Sequence, residues 1–340
     1  MLKRIKVKIK EYLKLRSFGY KGFRFGWKKG FCKDTLSVCG ITKDNYKDFL
    51  CDKDYFLGHP WNGAYSGIID NKLYLPLLLE KYKEYVPEYY YFKDEYGFLP
   101  LNKKGHARVG IDDFLELLHK ETMLCLKHTH SSVGQGFMLC EYSKGCYYIN
   151  KELIDKDKFV SIVSSLKEYI VTEYINQHDY AKEINSTSLN TIRFLCAWDY
   201  KKCSFFVARC FHRFGCNGNI VDNVGSGNGM LVFVNPETGV LKKNGAINQN
   251  HSGDRFAEDI IHPDSNRILT NLQIPNFENV RNKIIEIANS ISYLRWVGFD
   301  VAITADSFKI IEVNSLSSLI DQECCGYLSD DRLRHLFRKS

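Results

Sequence analysis

Between Val297 and Ser315 the chain reads VGFDVAITADSFKIIEVNS, two alternating apolar runs on either side of Ala305, Asp306 and Ser307. That pattern predicts an antiparallel hairpin. If those three residues close the turn, Thr304 lies opposite Phe308, and counting outward sets Asp300 across from Glu312. Period-two alternation then puts Asn314 on the face of Glu312. Further strands are predicted over 89–92, 122–127, 137–142, 171–175, 190–198, 203–212 and 230–234. Helical spacing appears in Phe114, Leu115 and Leu118, where Asp112 and Asp113 complement the helix N-terminus. It recurs in Phe159, Val163, Leu166 and Ile170, and in Val280, Ile284, Ile287 and Ile291 beyond Pro275. Before residue 89 the pattern is more broken: a weakly amphipathic basic helix over 2–16, a short polar helix over 44–54, and an apolar-periodic run with Leu75, Leu78 and Leu79 that opens at Asp70 and stops at Pro87.

Composition narrows the class. With 340 residues, 44% hydrophobic and 26% charged, the chain has room for two or three subdomains and a real core. No apolar run approaches the roughly 20 residues that cross a bilayer. Lys and Arg interrupt the start throughout, so no secretory h-region is seen and a cytoplasmic location is expected. The twelve cysteines lack paired Cys-x-x-Cys spacing and read as small buried hydrophobes of a reducing compartment, with the vicinal Cys324 and Cys325 the one redox candidate. The net charge of +7 is concentrated at the start, where residues 1–31 hold eleven Lys or Arg and one acid, Glu11. That segment suits an anionic membrane surface or a solvated basic helix. Nucleic-acid binding would require basic residues interleaved with stacking aromatics along a surface, which only residues 20–31 offer, and no nucleic-acid partner is expected.

Three stretches carry candidate chemistry. Asp300, Glu312 and Asn314 form an all-oxygen set of the kind magnesium prefers when phosphate oxygens complete its shell. The 122–127 strand delivers Lys127 into KHTHSSVGQGF, a Ser/Gly-rich loop whose backbone N–H groups can wrap phosphate oxygens. It lacks the Gly-x(4)-Gly-Lys spacing of a P-loop, and no helix follows it. Arg193, Arg209 and Arg213 lie in or beside apolar strands, where a guanidinium is costly unless an anion faces it.

Taken in order, Asp70-Asn71-Lys72, the 127–136 loop, Glu173-Tyr174-Ile175 and the 300–314 hairpin resemble the ATP-grasp superfamily. KHTHSSVG is similar to the phosphate loop of D-alanine–D-alanine ligases. NSTSLNTIRF, the Asp222-Asn223 loop, the His-Pro at His262 and GFDVAIT…IIEVN resemble more closely the sugar-transfer-associated ATP-grasp proteins, over roughly residues 70–320. The resemblance implies an α+β ATP-grasp fold in which two α+β subdomains clasp ATP: a basic helical or mixed N-terminal extension over 1–69, the first subdomains and flap over 70–175, and a catalytic subdomain over 176–340. It implies that Lys72 and Lys127 meet ATP, that Ser131, Ser132, Gly134 and Gly136 form the flap, and that Glu173, Tyr174 and Ile175 are the hinge that reads adenine. Asp300, Glu312 and Asn314 would carry magnesium. D-alanine ligases place an Arg two residues before the hairpin Asp, whereas Gly298 stands here, so the cation steadying an acyl phosphate must be Arg193, Arg209 or Arg213. His212, Asp222, Asn223 and His262 would line an acceptor pocket. The activity implied is ATP-dependent carboxylate–amine ligation, joining an amino acid or amine to a carboxylated sugar of a surface polysaccharide precursor. A kinase acting on a small acceptor is the alternative.

Overall fold

The structure is a computed structural model that describes residues 24–32, 35–36, 39–102, 107–131, 134–223, 229–243, 259–322 and 325–338. The basic 2–16 helix, Ser132 and Cys324 lie outside the described residues. Two antiparallel sheets organise the rest. The first has seven strands, β1 (Tyr89–Asp94), β2 (Gly97–Pro100), β3 (Met123–His128), β4 (Met138–Ser143), β5 (Cys146–Ile149), β6 (Glu152–Ile154) and β7 (Tyr169–Glu173), in the order β2-β1-β7-β3-β4-β5-β6. The second has five, β8 (Ile192–Asp199), β9 (Ser204–Phe214), β10 (Met230–Val234), β11 (Trp296–Ile303) and β12 (Phe308–Asn314), in the order β10-β9-β8-β11-β12.

Alternation explains which face each strand turns to which layer. In the seven-stranded sheet Leu124, Leu126 and Val171 pack against Phe114, Leu115 and Leu118 of the helix Ile111–Glu121 and Phe159 and Val163 of the helix Lys156–Ser165. Cys125 and Lys127 therefore turn to the other face. In the five-stranded sheet Phe194, Cys196, Val297, Phe299, Val301, Ile310 and Val313 join a core covered by Val280, Ile284 and Ile287 of the helix Phe277–Ser290. The opposite face is divided: Leu195, Ala197 and Trp296 are capped by Tyr55, Leu333 and Phe337, while the rows of Arg193 and Asp300 carry charge.

Several boundaries differ from the sequence pattern. The helix assigned to Phe159, Val163, Leu166 and Ile170 ends at Ser165, because Leu166 is already extended and Ile170 lies in β7. Arg213, expected just past a strand, lies inside β9 and pairs across from Leu231. Residues 50–89 do not stand apart from the C-terminal sheet. Asn62 donates to the carbonyl of Trp296 at 2.6 Å and accepts from the amides of Arg295 and Trp296 at 2.7 and 3.1 Å. Tyr55 Oη accepts from Trp296 Nε1 and from the amide of Ser317, and Ile69, Leu75 and Leu79 enter the core of that sheet.

Candidate active site between the two sheets

The hairpin delivers the expected pairing by an unexpected route. Ile303, not Thr304, is opposite Phe308, so the turn has four residues, closed by the Thr304 amide on the Ser307 carbonyl. A bulge then lets Asp300 pair with Glu312 while Val301 pairs with Ile310, and the extra residue, Ile311, restores the outer register. Gly298 is opposite Asn314. Asp300, Glu312 and Asn314 thus share the charged face, with the Asn314 amide nitrogen 3.5 Å from Asp300 Oδ2.

Asp300 is buried and held by two guanidiniums. Arg193, its partner on β8, donates Nε to Oδ1 and Nη2 to Oδ2, the latter at 2.9 Å, and Arg213 Nη2 lies 2.8 Å from Oδ2. Burial alone would raise the Asp300 pKa, but Arg193 and Arg213 hold it below the usual carboxylate range. Arg193 has room because residue 298 is glycine: a Cβ there would sit 3.0 Å from Arg193 Cδ. The guanidinium at this carboxylate therefore comes from the neighbouring strand and crosses Gly298. Arg209 is not with the other two; it donates to the carbonyls of Ala208 and Gly326 and lies over the Tyr327 ring.

Lys72 reaches the other carboxylate, with Nζ 2.9 Å from Glu312 Oε1, and also donates to the Ser131 carbonyl. Its neighbour Asp70 takes the amide and hydroxyl of Ser315 at 2.7 and 2.6 Å, fixing the end of β12 beside Asn314. Lys127, across from Ile170, lies within the field of Glu312 and Lys72, and burial lowers its pKa. Four cations thus surround the carboxylates. Ser131 Oγ bonds the His128 carbonyl, and Gly134 and Gly136 follow with φ of +74° and +72°. An added Cβ at Gly134 would press on Val221, and one at Gly136 on the Tyr169 hydroxyl at 2.8 Å. The loop from the first sheet therefore reaches the segment preceding Asp222 in the second.

Glu173 ends β7 and accepts the Glu88 amide at 2.9 Å, with Lys309 Nζ 3.3 Å away. Tyr174 is half-buried and Ile175 buried, and three residues on, the His178 amide bonds the Ile303 carbonyl of the second sheet. Asp222 accepts the amide and hydroxyl of Thr191 at 2.8 and 2.6 Å, and the same hydroxyl accepts from Arg213 at 2.6 Å. Asp222 is thus a support for Arg213, its pKa raised by burial against the pull of that guanidinium. Asn223 accepts the Gly229 amide on its carbonyl.

The two histidines expected in an acceptor pocket do not fit that role. His212 is fully buried, its Nε2 2.8 Å from the Tyr180 hydroxyl and its Nδ1 3.1 Å from the Arg213 carbonyl. It follows Phe211 and precedes Arg213 on β9, so alternation turns it to the core side, away from the arginine. His262 is also fully buried; Nε2 meets the Gly215 carbonyl at 2.9 Å and Cys216 Sγ at 3.6 Å, and Nδ1 lies 3.3 Å from the Asp264 amide.

Two carboxylates completed by an amide give the hard oxygen donors that suit magnesium. Both are engaged by Lys72, Arg193 and Arg213, so the donor set fits such an ion once some of those contacts are given up. Among the described residues no three or more His, Cys, Asp or Glu converge. Sequence reasoning missed Asp70, Thr191, Ser317 and Asp321. Asp70 and Thr191 carried a signal, as parts of the Asp-Asn-Lys and NSTSLNTIRF stretches.

A family model described as sugar-transfer associated ATP-grasp matches residues 56–326. The chain belongs to that family. The match begins upstream of residue 70, and residues 55–69 pack on the five-stranded sheet. No curated protein matches. Among solved structures, this ATP-grasp chain is similar to the ATP-grasp ligase PsnB complexed with a minimal precursor, at 10% identity and a TM-score of 0.42, over 82% of this chain and 63% of that one. Biotin carboxylase from Campylobacter jejuni matches at 10% identity and 0.42, over 80% and 46%. N5-carboxyaminoimidazole ribonucleotide synthetase from Thermotoga maritima matches at 10% and 0.37, over 76% and 48%. The chain spans less than two-thirds of the length of each. No helix of the described residues is long and apolar enough to cross a membrane.

Proposed function

We propose that this ATP-grasp protein is an ATP- and magnesium-dependent carboxylate–amine ligase. The observation that carries the reading is the apposition of Asp300, Glu312 and Asn314 with Lys72, Lys127, Arg193 and Arg213 in the space between the sheets. Magnesium, held by Asp300, Glu312 and Asn314, would supply charge stabilisation to a transferring phosphoryl group. Lys72 and Lys127 would hold triphosphate oxygens, and the 131–136 loop would cover them with backbone N–H groups. Arg193 and Arg213 would face the charge that develops as a substrate carboxylate takes the γ-phosphoryl group, after which an amine displaces phosphate. Residues 173–175 would read the adenine edge. Such a reaction requires positioning rather than a side-chain nucleophile.

The acid we propose is a carboxylated sugar and the amine an amino acid or simple amine, in keeping with the family's association with sugar transfer. Residues 1–69, 70–175 and 176–340 remain our proposed division, with 50–69 now assigned to the support of the catalytic sheet. Incubation with a panel of uronic acids and amines tests the reading: ADP, phosphate and amide should form only when acid and amine are both present. ADP with a phosphorylated acceptor and no amine requirement would establish the kinase instead. Glu312→Ala should abolish turnover while leaving the circular dichroism spectrum unchanged; full activity in that variant removes the metal assignment.

A further inference from the structure

Asp321 lies in the short 3-10 turn Leu319–Gln322 that follows the hairpin. It is 1% exposed, and neither of its carboxylate oxygens has a partner in good hydrogen-bond geometry, the Ser317 hydroxyl acting on it only as a loose donor. A buried acid left this way demands an explanation, since buried polar groups are almost always satisfied. Arg193, Arg213 and Asp300 are within electrostatic reach, as are the Tyr55 and Tyr327 hydroxyls, and the Ser317 hydroxyl is near enough to lower its proton affinity. Burial nonetheless pushes the Asp321 pKa up to about 7.

On Asp300 the two oxygens accept from Arg193 Nε and Nη2, from Arg213 Nη2 and, more distantly, from Asn314 Nδ2. Three of those donors, Arg193 Nη2, Arg213 Nη2 and Asn314 Nδ2, fall on Oδ2, which has two lone-pair directions, and only Arg193 Nε falls on Oδ1. A cation shared with Asn314 approaches Oδ2; even when Asn314 turns its amide oxygen to the cation, the two guanidiniums still occupy that oxygen and one must move, and a guanidinium deprived of its anion inside a protein is strongly destabilising. Arg213 is tethered independently through Thr191 and Asp222. Arg193 has a different exit: its Nη1 already bonds Ser317 Oγ at 3.0 Å, and Gly298 leaves its stem space.

We propose that Asp321 is a positioning residue, a second seat for the Arg193 guanidinium that is taken up when a divalent cation binds Asp300. The unsatisfied carboxylate then has a partner, Asp300 has free lone pairs, and the positive charge of Arg193 stays in the site. This rests on the reading of Asp300, Glu312 and Asn314 as a divalent-cation site.

Binding of Mn2+ to the full chain, followed by electron paramagnetic resonance, separates the two ideas. Wild type should bind and Glu312→Ala should not; if wild type fails to bind, or Glu312→Ala binds equally well, the cation reading fails and takes this proposal with it. Asp321→Asn should bind about tenfold more weakly, and should add no further loss in an Arg193→Met background. An unchanged affinity in Asp321→Asn, or an equal loss in both backgrounds as simple through-space charge requires, overturns the role of Asp321 alone. Should Arg193→Met not fold, the side-chain 15N spectrum decides: added Mg2+ should move the Arg193 Nε–H resonance in wild type and not in Asp321→Asn. A resonance unmoved in wild type, or moved alike in both, refutes the seat.

Discussion

His212 gives the sharpest quantitative test of the fold around the site. Its Nδ1 faces a carbonyl oxygen, which can only accept, so the neutral ring carries its proton there and Nε2 accepts from Tyr180. Burial, reinforced by the nearby Arg213 charge, lowers its pKa from 6.5 to about 3. A base whose folded pKa is depressed stays neutral in the fold while the unfolded chain takes up a proton. Stability is therefore complete above pH 6.5 and is lost as the pH falls from there toward 3. At about 1.36 kcal/mol per pKa unit, the drop between pH 7 and pH 5.5 is about 1.2 kcal/mol, and the full loss near pH 3 about 5 kcal/mol. Hydrogen exchange of β8 and β9 amides, corrected for intrinsic rates, measures the opening free energy at each pH. His212→Gln should remove this increment while leaving the contributions of His262 and the carboxylates in place. An identical pH dependence in wild type and variant, or an imidazole that titrates near 6.5, would falsify the buried neutral assignment.

Two further predictions follow from packing. Gly298→Ala places a methyl group against the Arg193 stem and should cost about 1–3 kcal/mol as an overpacked site, with kcat falling more than the KM for ATP. A thermal melt and steady-state kinetics check both, and a silent substitution would show that Arg193 does not need this space. Asn62→Ala removes three hydrogen bonds to the start of β11 and should lower stability by about 1.5–4.5 kcal/mol on the usual 0.5–1.5 per bond. Proteolysis of residues 50–70 should accelerate in parallel.

The pairing of the candidate carboxylates was legible in the sequence because they lie on one hairpin, where register follows from alternation. Even so, Asp300 met Glu312 only because a bulge at Ile311 compensated for a turn one residue longer than counted, and nothing in the local sequence marks that bulge. The same alternation, applied to β9, separates His212 from Arg213, which cannot line one pocket as adjacent strand residues. The helix carried through to Ile170 because the strand's apolar residues happen to continue the helical spacing; Leu166, already extended, is where it ends. What was illegible is long-range. Asn62 and Tyr55 act on residues more than 200 positions away, and Asp321 sits in an irregular turn with no periodicity to signal its burial. Of the three arginines, sequence alone could not set Arg209 apart from Arg193 and Arg213, because what divides them is which strand row faces Asp300.

Among the described residues the chain passes between the two halves at 86–89 and again at 173–178. These two crossings are tied to each other, through Glu173 N to the Glu88 carbonyl at 3.0 Å and Glu88 N to Glu173 Oε1 at 2.9 Å. The two tethers run antiparallel and are fastened to each other along one line. With each crossing bonded to the other, a break in one still leaves its neighbour joining the two halves of the molecule.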